Sequence, residues 1–134
     1  MIKLILPYPV SGNRYWRHFK GRPVRSKEAN AYRAIVVATS HQAGIRYPLC
    51  GLLAIEYTLH PIAPKDASKR AKKDPNWADL VRCIDLGNCE KVASDCLNGI
   101  VIEDDKQFHQ ITLNRGAPVP NGALVIVINQ LRAG

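Results

Sequence analysis

The stretch with the densest chemistry reads Asp85-Leu86-Gly87-Asn88-Cys89-Glu90-Lys91, then Asp95, then Glu103-Asp104-Asp105. Nineteen Lys and Arg face eleven Asp and Glu in the chain, yet seven of those acids lie between Asp79 and Asp105. Carboxylates crowded together repel one another, and a divalent cation relieves that repulsion. Oxygen-rich donor sets suit Mg²⁺ or Mn²⁺, the ions of phosphoryl and phosphodiester chemistry. The cysteines Cys50, Cys83, Cys89 and Cys96 contain no Cys-x-x-Cys pair and fit no zinc spacing, so they read as reduced core hydrophobes. His18, His41, His60 and His109 show no ligand spacing either.

A helix has to position these acids. Asn88 is its predicted N-cap, and Cys89, Val92, Cys96 and Leu97 recur behind it at helical spacing. Asp85 then stands just before the helix and Glu90 lies in its first turn. Lys91 and Asp95, four apart, share a face on which Asp95 orients the lysine. Asn98-Gly99 is the stop signal. About ten helical residues span only ~15 Å, so the return through Ile100-Val101-Ile102 is expected to carry Asp105 back toward Asp85.

Two basic stretches flank this region. The formal charge of +8 and a pI near 9.6 favour a polyanionic partner. Residues 14–27 hold six cations and no acid, with Tyr15, Trp16 and Phe19 interleaved and Lys20-Gly21 as a hairpin tip. A cationic, aromatic ribbon suits phosphates and unstacked bases, so Arg14, Tyr15, Arg17, Lys20, Arg22 and Arg25 are candidate DNA contacts. Trp16 suits core packing as well as base stacking. Residues 61–77 contain Pro61, Pro64 and Pro75, which argue against a regular element. This loop adds Lys69, Arg70, Lys72 and Lys73 as candidate backbone contacts.

The remaining chain supplies a scaffold. Ile2–Leu6 reads as a strand, and Ser26 caps a helix running to about Ala43 with Ala29, Tyr32, Val36 and Ala43 as its buried stripe. Leu52–Leu59 is a strong strand with Leu53, Ile55, Tyr57 and Leu59 on one face. Gln107–Asn114 and Ala123–Ile128 are two more, the last apolar on both faces and so central or covered, and Gln130–Gly134 is a tail. The expected fold is α+β: one domain over residues 1–134, with a mixed sheet of about four main strands, two helices and a basic N-terminal hairpin. With no apolar run long enough to span a membrane and no signal peptide at the N-terminus, a cytoplasmic protein is expected.

Three motifs in this order resemble the RusA family of Holliday junction resolvases, found in phages and prophages. Pro7-Tyr8-Pro9-Val10-Ser11-Gly12-Asn13-Arg14-Tyr15-Trp16-Arg17-His18 is similar to the family's Pro-rich opening and basic run. Asp85-Leu86-Gly87-Asn88 with Lys91, Asp95 and Leu97 resembles its Asp-x-Asp-Asn, x-x-Lys and Asp-x-Leu pattern. Asp104-Asp105-x-Gln107-Phe108 resembles its Asp-Asp-x-Gln-Val. The resemblance implies a homodimer in a bacterial or phage-infected cell that binds four-way DNA junctions and makes paired cuts in recombination and repair. It implies Mg²⁺, with Mn²⁺ as substitute, no organic cofactor and no membrane partner. Carried over by position, Asp85 and Asp105 are catalytic metal ligands and Lys91 assists, with Asp104 and Glu90 as further candidate ligands.

This chain departs from the pattern at Gly87, where the family has its second aspartate. Glu90, Asp79 or Asp104 supplies the missing oxygen, or water does, or the chain is a junction-binding protein with impaired catalysis. An RNA-binding module is the rival of another class, and no RNP, KH or zinc-knuckle pattern supports it.

Overall fold

Alternating apolar residues build the sheet. The computed structural model describes residues 1–133. Strands β1 (Ile2–Leu6), β4 (Leu52–His60), β5 (Phe108–Arg115) and β6 (Ala123–Arg132) form a sheet in the order β1-β6-β4-β5. β6 runs antiparallel to both β1 and β4, and β5 runs parallel to β4. A parallel neighbour needs a long crossover, and the segment between β4 and β5 is the one that carries the acidic stretch.

Period-two patterning puts Leu4 and Leu6, then Leu53, Ile55, Tyr57 and Leu59, then Leu124, Ile126 and Ile128 on one buried face. Two helices cover it. α2 (Lys27–Gln42) buries Ala29, Tyr32, Val36 and Ser40, and α4 (Leu86–Leu97) buries Cys89, Val92, Ala93, Ser94, Cys96 and Leu97. The result is a two-layer α+β fold with one continuous apolar cluster.

Ser26 caps α2 as expected, its hydroxyl accepting the Ala29 N–H at 3.1 Å. The hairpin also forms, with β2 (Trp16–Phe19) paired to β3 (Arg22–Arg25) as a separate two-stranded sheet. Arg14 and Tyr15 lie outside it, in the single-turn helix α1 (Gly12–Tyr15).

Several expectations need correction. The buried stripe of α2 ends at Ser40, and Ala43 is exposed in the C-cap. Residues 61–77 contain the helix α3 (Ala67–Lys73). Pro61, Pro64 and Pro75 all lie outside it, so none removes an internal hydrogen bond, and Asp66 pairs with Arg70 at 2.9 Å. β6 runs on to Arg132, so residues 130–132 are strand, and Gly134 lies outside the described residues. Among the described residues no helix is long and apolar enough to cross a membrane.

Candidate active site and nucleic-acid surface

Asp85, and not Asn88, caps α4. Its Oδ1 accepts the Asn88 N–H at 2.7 Å, and the helix begins at Leu86. Glu90 therefore sits in the second turn. Asn88 is used tertiarily: its Oδ1 accepts the Gly12 N–H at 2.9 Å. A Cβ on Gly12 would stand 3.2 Å from that same oxygen, so glycine lets the backbone come close. The base of the basic hairpin is thereby fixed to the start of α4.

A second anchor lies two turns along. Asp95 Oδ2 accepts Arg25 Nε–H at 2.8 Å and Oδ1 accepts Arg25 Nη2 at 3.2 Å. The Tyr15 hydroxyl donates to Asp95 as well. Arg33 donates to the Asp95 and Asn98 carbonyls at 2.7 and 3.2 Å, satisfying the open C-terminal end of α4. Burial is the largest influence on Asp95 and disfavours its charge. The Arg25 and Tyr15 hydrogen bonds and the Arg25 and Arg33 charges outweigh it and hold the carboxyl below its ordinary range.

The expected pairing of Lys91 with Asp95 is thus replaced by one with Arg25. Tyr15, a candidate DNA contact, is fully buried, and burial pushes its hydroxyl well above the ordinary range. Tyr15 holds the hairpin from inside, and Arg25, about a third of its side chain still exposed, is tied to Asp95 beside it.

Between the anchors opens a cavity of about 380 Å³, lined by Gly12, Trp16, Asp85, Gly87, Asn88, Lys91 and Val92. Lys91 is exposed on its wall. A Cβ at Gly87 would lie 3.5 Å from Asp85 Oδ1, an ordinary contact, so the backbone there accepts a side chain beginning beside Asp85.

The other acids gather on the returning chain. Asp104 caps the 3₁₀ turn Asp105–Gln107, its Oδ1 accepting the Lys106 N–H at 2.8 Å. Gln107 closes the capping box, accepting the Glu103 and Asp104 N–H groups and donating to the Leu49 and Gly51 carbonyls. Burial, then the hydrogen bond and charge of Asp104, then the charge of Glu90, raise the Asp105 carboxyl above its ordinary range. The Lys106 N–H, then the Asp105 side chain, lower Asp104. Glu90 is tied inward, its Oε1 accepting Ser94 Oγ at 2.9 Å, which in turn meets the Tyr57 hydroxyl at 2.7 Å.

The acids thus form two sets, Asp85 at the head of α4 and Asp104-Asp105 beside Glu90. Among the described residues no three of His, Cys, Asp and Glu converge as a metal-holding group. By donor type the carboxylates suit a hard cation. Mg²⁺ commonly takes one or two carboxylates and completes its shell with water and substrate phosphate. Burial pushes the Cys89 and Cys96 thiols up to about 12 and about 11, and both lie in the apolar core.

Arg17, Lys20 and Arg22 are exposed on the hairpin, and Lys69, Arg70, Lys72 and Lys73 on α3. Arg14 is exposed and paired with Glu28 at 2.5 Å. The sequence places Gly12 and Gln107 in motifs without showing what they bond, and offers Trp16 both core packing and base stacking. Only for Gln107 was there a local signal, the Asp-x-x-Gln capping box.

The model of a family described as endodeoxyribonuclease RusA matches residues 7–128. A protein of Enterobacteria phage HK97 named crossover junction endodeoxyribonuclease rusA is 31% identical over 132 residues, spanning 98% of this chain and 96% of that protein.

Proposed function

The chain belongs to the RusA endodeoxyribonuclease family, and from that premise we propose that it is a structure-specific endonuclease acting on four-way DNA junctions. The carrying observation is the fixation of a cationic hairpin, through Gly12–Asn88 and Arg25–Asp95, to the helix bearing Asp85 and Lys91. DNA phosphates gripped by Arg17, Lys20 and Arg22 then have a defined offset from the acids, and the α3 cations add further phosphate contacts. Two matched cuts need two matched sites, so the working unit is a homodimer.

In this reading Asp85 and Asp105 would hold Mg²⁺ or Mn²⁺, with Asp104 and Glu90 as neighbouring donors and with water and substrate phosphate completing the shell that the two carboxylate sets leave open. The Asp85 cap uses only Oδ1, which leaves its second oxygen for this task. The ion, when bound, supplies an activated water and neutralises charge at the phosphate. Lys91 reaches the same phosphate from the cavity wall and offsets charge on the leaving oxygen. Asp95 does not ligate: its oxygens are committed to Arg25 and Tyr15.

One observation favours a second reading. Gly87 leaves open the position beside Asp85 where the family pattern has a carboxylate, and this reading is a junction binder with impaired catalysis. The test uses a labelled four-way junction with Mg²⁺ or Mn²⁺, the parent chain beside Gly87→Asp, and binding in EDTA. Cleavage by the parent supports the enzyme. Cleavage by Gly87→Asp alone, raised at least about tenfold, is the signature of a lost ligand. Tight junction binding with no cleavage by either supports the binder, and no preference for junctions over linear duplex sinks both.

A further inference from the structure

Trp16 stands where chain direction and cavity meet. It is the first residue of β2, directly after the buried anchor Tyr15, and its ring meets the Tyr15 ring edge-on with centroids 5.0 Å apart and planes at 75°. One side of the indole is thereby held by the protein, and the residue remains 38% exposed. The exposed part lines the same cavity as Asp85, Gly87 and Lys91. A large aromatic left partly open in a cleft otherwise lined by Lys91, Asp85, Asn88, Val92 and two glycines suits a ligand with a flat apolar face and an anionic group that reaches the lysine.

We propose that Trp16 is a stacking platform for an unpaired nucleobase whose adjoining phosphate lies at Lys91. This rests on the junction-binding reading above and adds to it a contact that distinguishes branched from paired DNA. A base inside a duplex has both faces covered by its neighbours. A base at a crossover is readily unstacked, and an aromatic ring replaces the lost neighbour without regard to sequence. The edge contact with Tyr15 fixes the ring plane in advance, so little rotamer freedom is lost on stacking. The cavity of about 380 Å³ has room for a base, and Gly87 lines it without a side chain.

The experiment reads binding in EDTA and does not depend on cleavage. Four-way junctions carrying 2-aminopurine at the branch point are titrated with the parent chain, Trp16→Phe, Trp16→Leu and Trp16→Ala, each first checked for cooperative thermal unfolding. The parent and Trp16→Phe are expected to change the 2-aminopurine fluorescence in a saturable way. Trp16→Leu, which fills space but has no ring, is expected to lose that change, and Trp16→Ala to weaken junction binding roughly five- to hundredfold, the span for one lost base stack. Affinity for linear duplex stays within about twofold in all four, because phosphate contacts dominate it. If Trp16→Leu behaves as Trp16→Phe does, or Trp16→Ala keeps the parent's fluorescence change, Trp16 merely packs and the proposal falls. A parent that prefers junctions yet leaves the probe unchanged also overturns the stacking contact alone. A parent with no preference for junctions overturns the functional reading beneath it.

Discussion

Replacing Asp95 with alanine should loosen the hairpin and destabilise the fold together. The substitution strips the Tyr15 hydroxyl of its acceptor in a fully buried position. An unsatisfied buried hydroxyl costs ~1–3 kcal/mol. The Arg25 pair adds less, because the Arg25 side chain is 35% exposed against 19% for Asp95, so solvent screening limits it to ~0.5–1 kcal/mol. The sum is ~1.5–4 kcal/mol, a large share of the ~5–15 kcal/mol that holds a domain together, and corresponds to a Tm drop of roughly 5–15 °C at this size. Asp95→Asn keeps an acceptor for Tyr15 and should cost about half as much. The carboxyl is depressed in the fold, so its contribution is present above the unfolded value near ~3.9 and is lost as pH falls through the lower folded value. The gap between parent and Asp95→Asn should therefore be flat around neutrality and close only in acid below about pH 4. Urea and thermal unfolding of the parent, both variants, Arg25→Ala and the Arg25→Ala/Asp95→Ala double variant measure all of this. Loss of less than ~1 kcal/mol in Asp95→Ala, or additivity of the two alanines, would refute the claim that this carboxylate joins hairpin to helix.

Asp105→Asn should act in the opposite direction. The Asp105 carboxyl is raised in the fold, so its stabilising effect is complete below the unfolded value near ~3.9 and is lost as pH rises through the folded one. The variant should therefore unfold at a higher temperature than the parent near neutrality and at the same temperature near pH 3; equal Tm at both pH values would show that the crowding is absent. Added Mg²⁺ should raise the Tm of the parent and not of Asp105→Asn, and parallel shifts would remove Asp105 from the ligand set. Gly122→Ala should destabilise by ~1–3 kcal/mol, because φ is +69° and the new Cβ would fall 2.8 Å from Tyr8 Cδ1 and 2.9 Å from Ile62 Cγ1. It should also weaken the approach to the site, since the Tyr8 hydroxyl accepts the Ile84 N–H at 2.8 Å, one residue before Asp85. An unchanged urea midpoint would show that Tyr8 yields freely.

What the sequence determined on its own was set by period and by short range. Leu53, Ile55, Tyr57 and Leu59 alternate, so a buried sheet face follows from a two-residue repeat. Ser26 caps its helix through an oxygen three residues from its target, the clustering of acids can be read by counting, and the gap at Gly87 by comparison with the family pattern. Tertiary structure alone decided which polar groups meet. Asp85 and Asn88 are both capable caps; in the fold Asp85 caps, and the Asn88 oxygen instead accepts the Gly12 N–H, 76 positions away. Asp95 has a cation one turn back, but its partner is Arg25, 70 positions distant and brought in by the hairpin. Tyr15 sits in a cationic, aromatic run that reads as surface, and its burial follows from α1 turning it onto α4. A hydrogen bond needs two groups within about 3 Å. Repeats along a chain fix which face a residue occupies, but only the packed layers fix what stands opposite it.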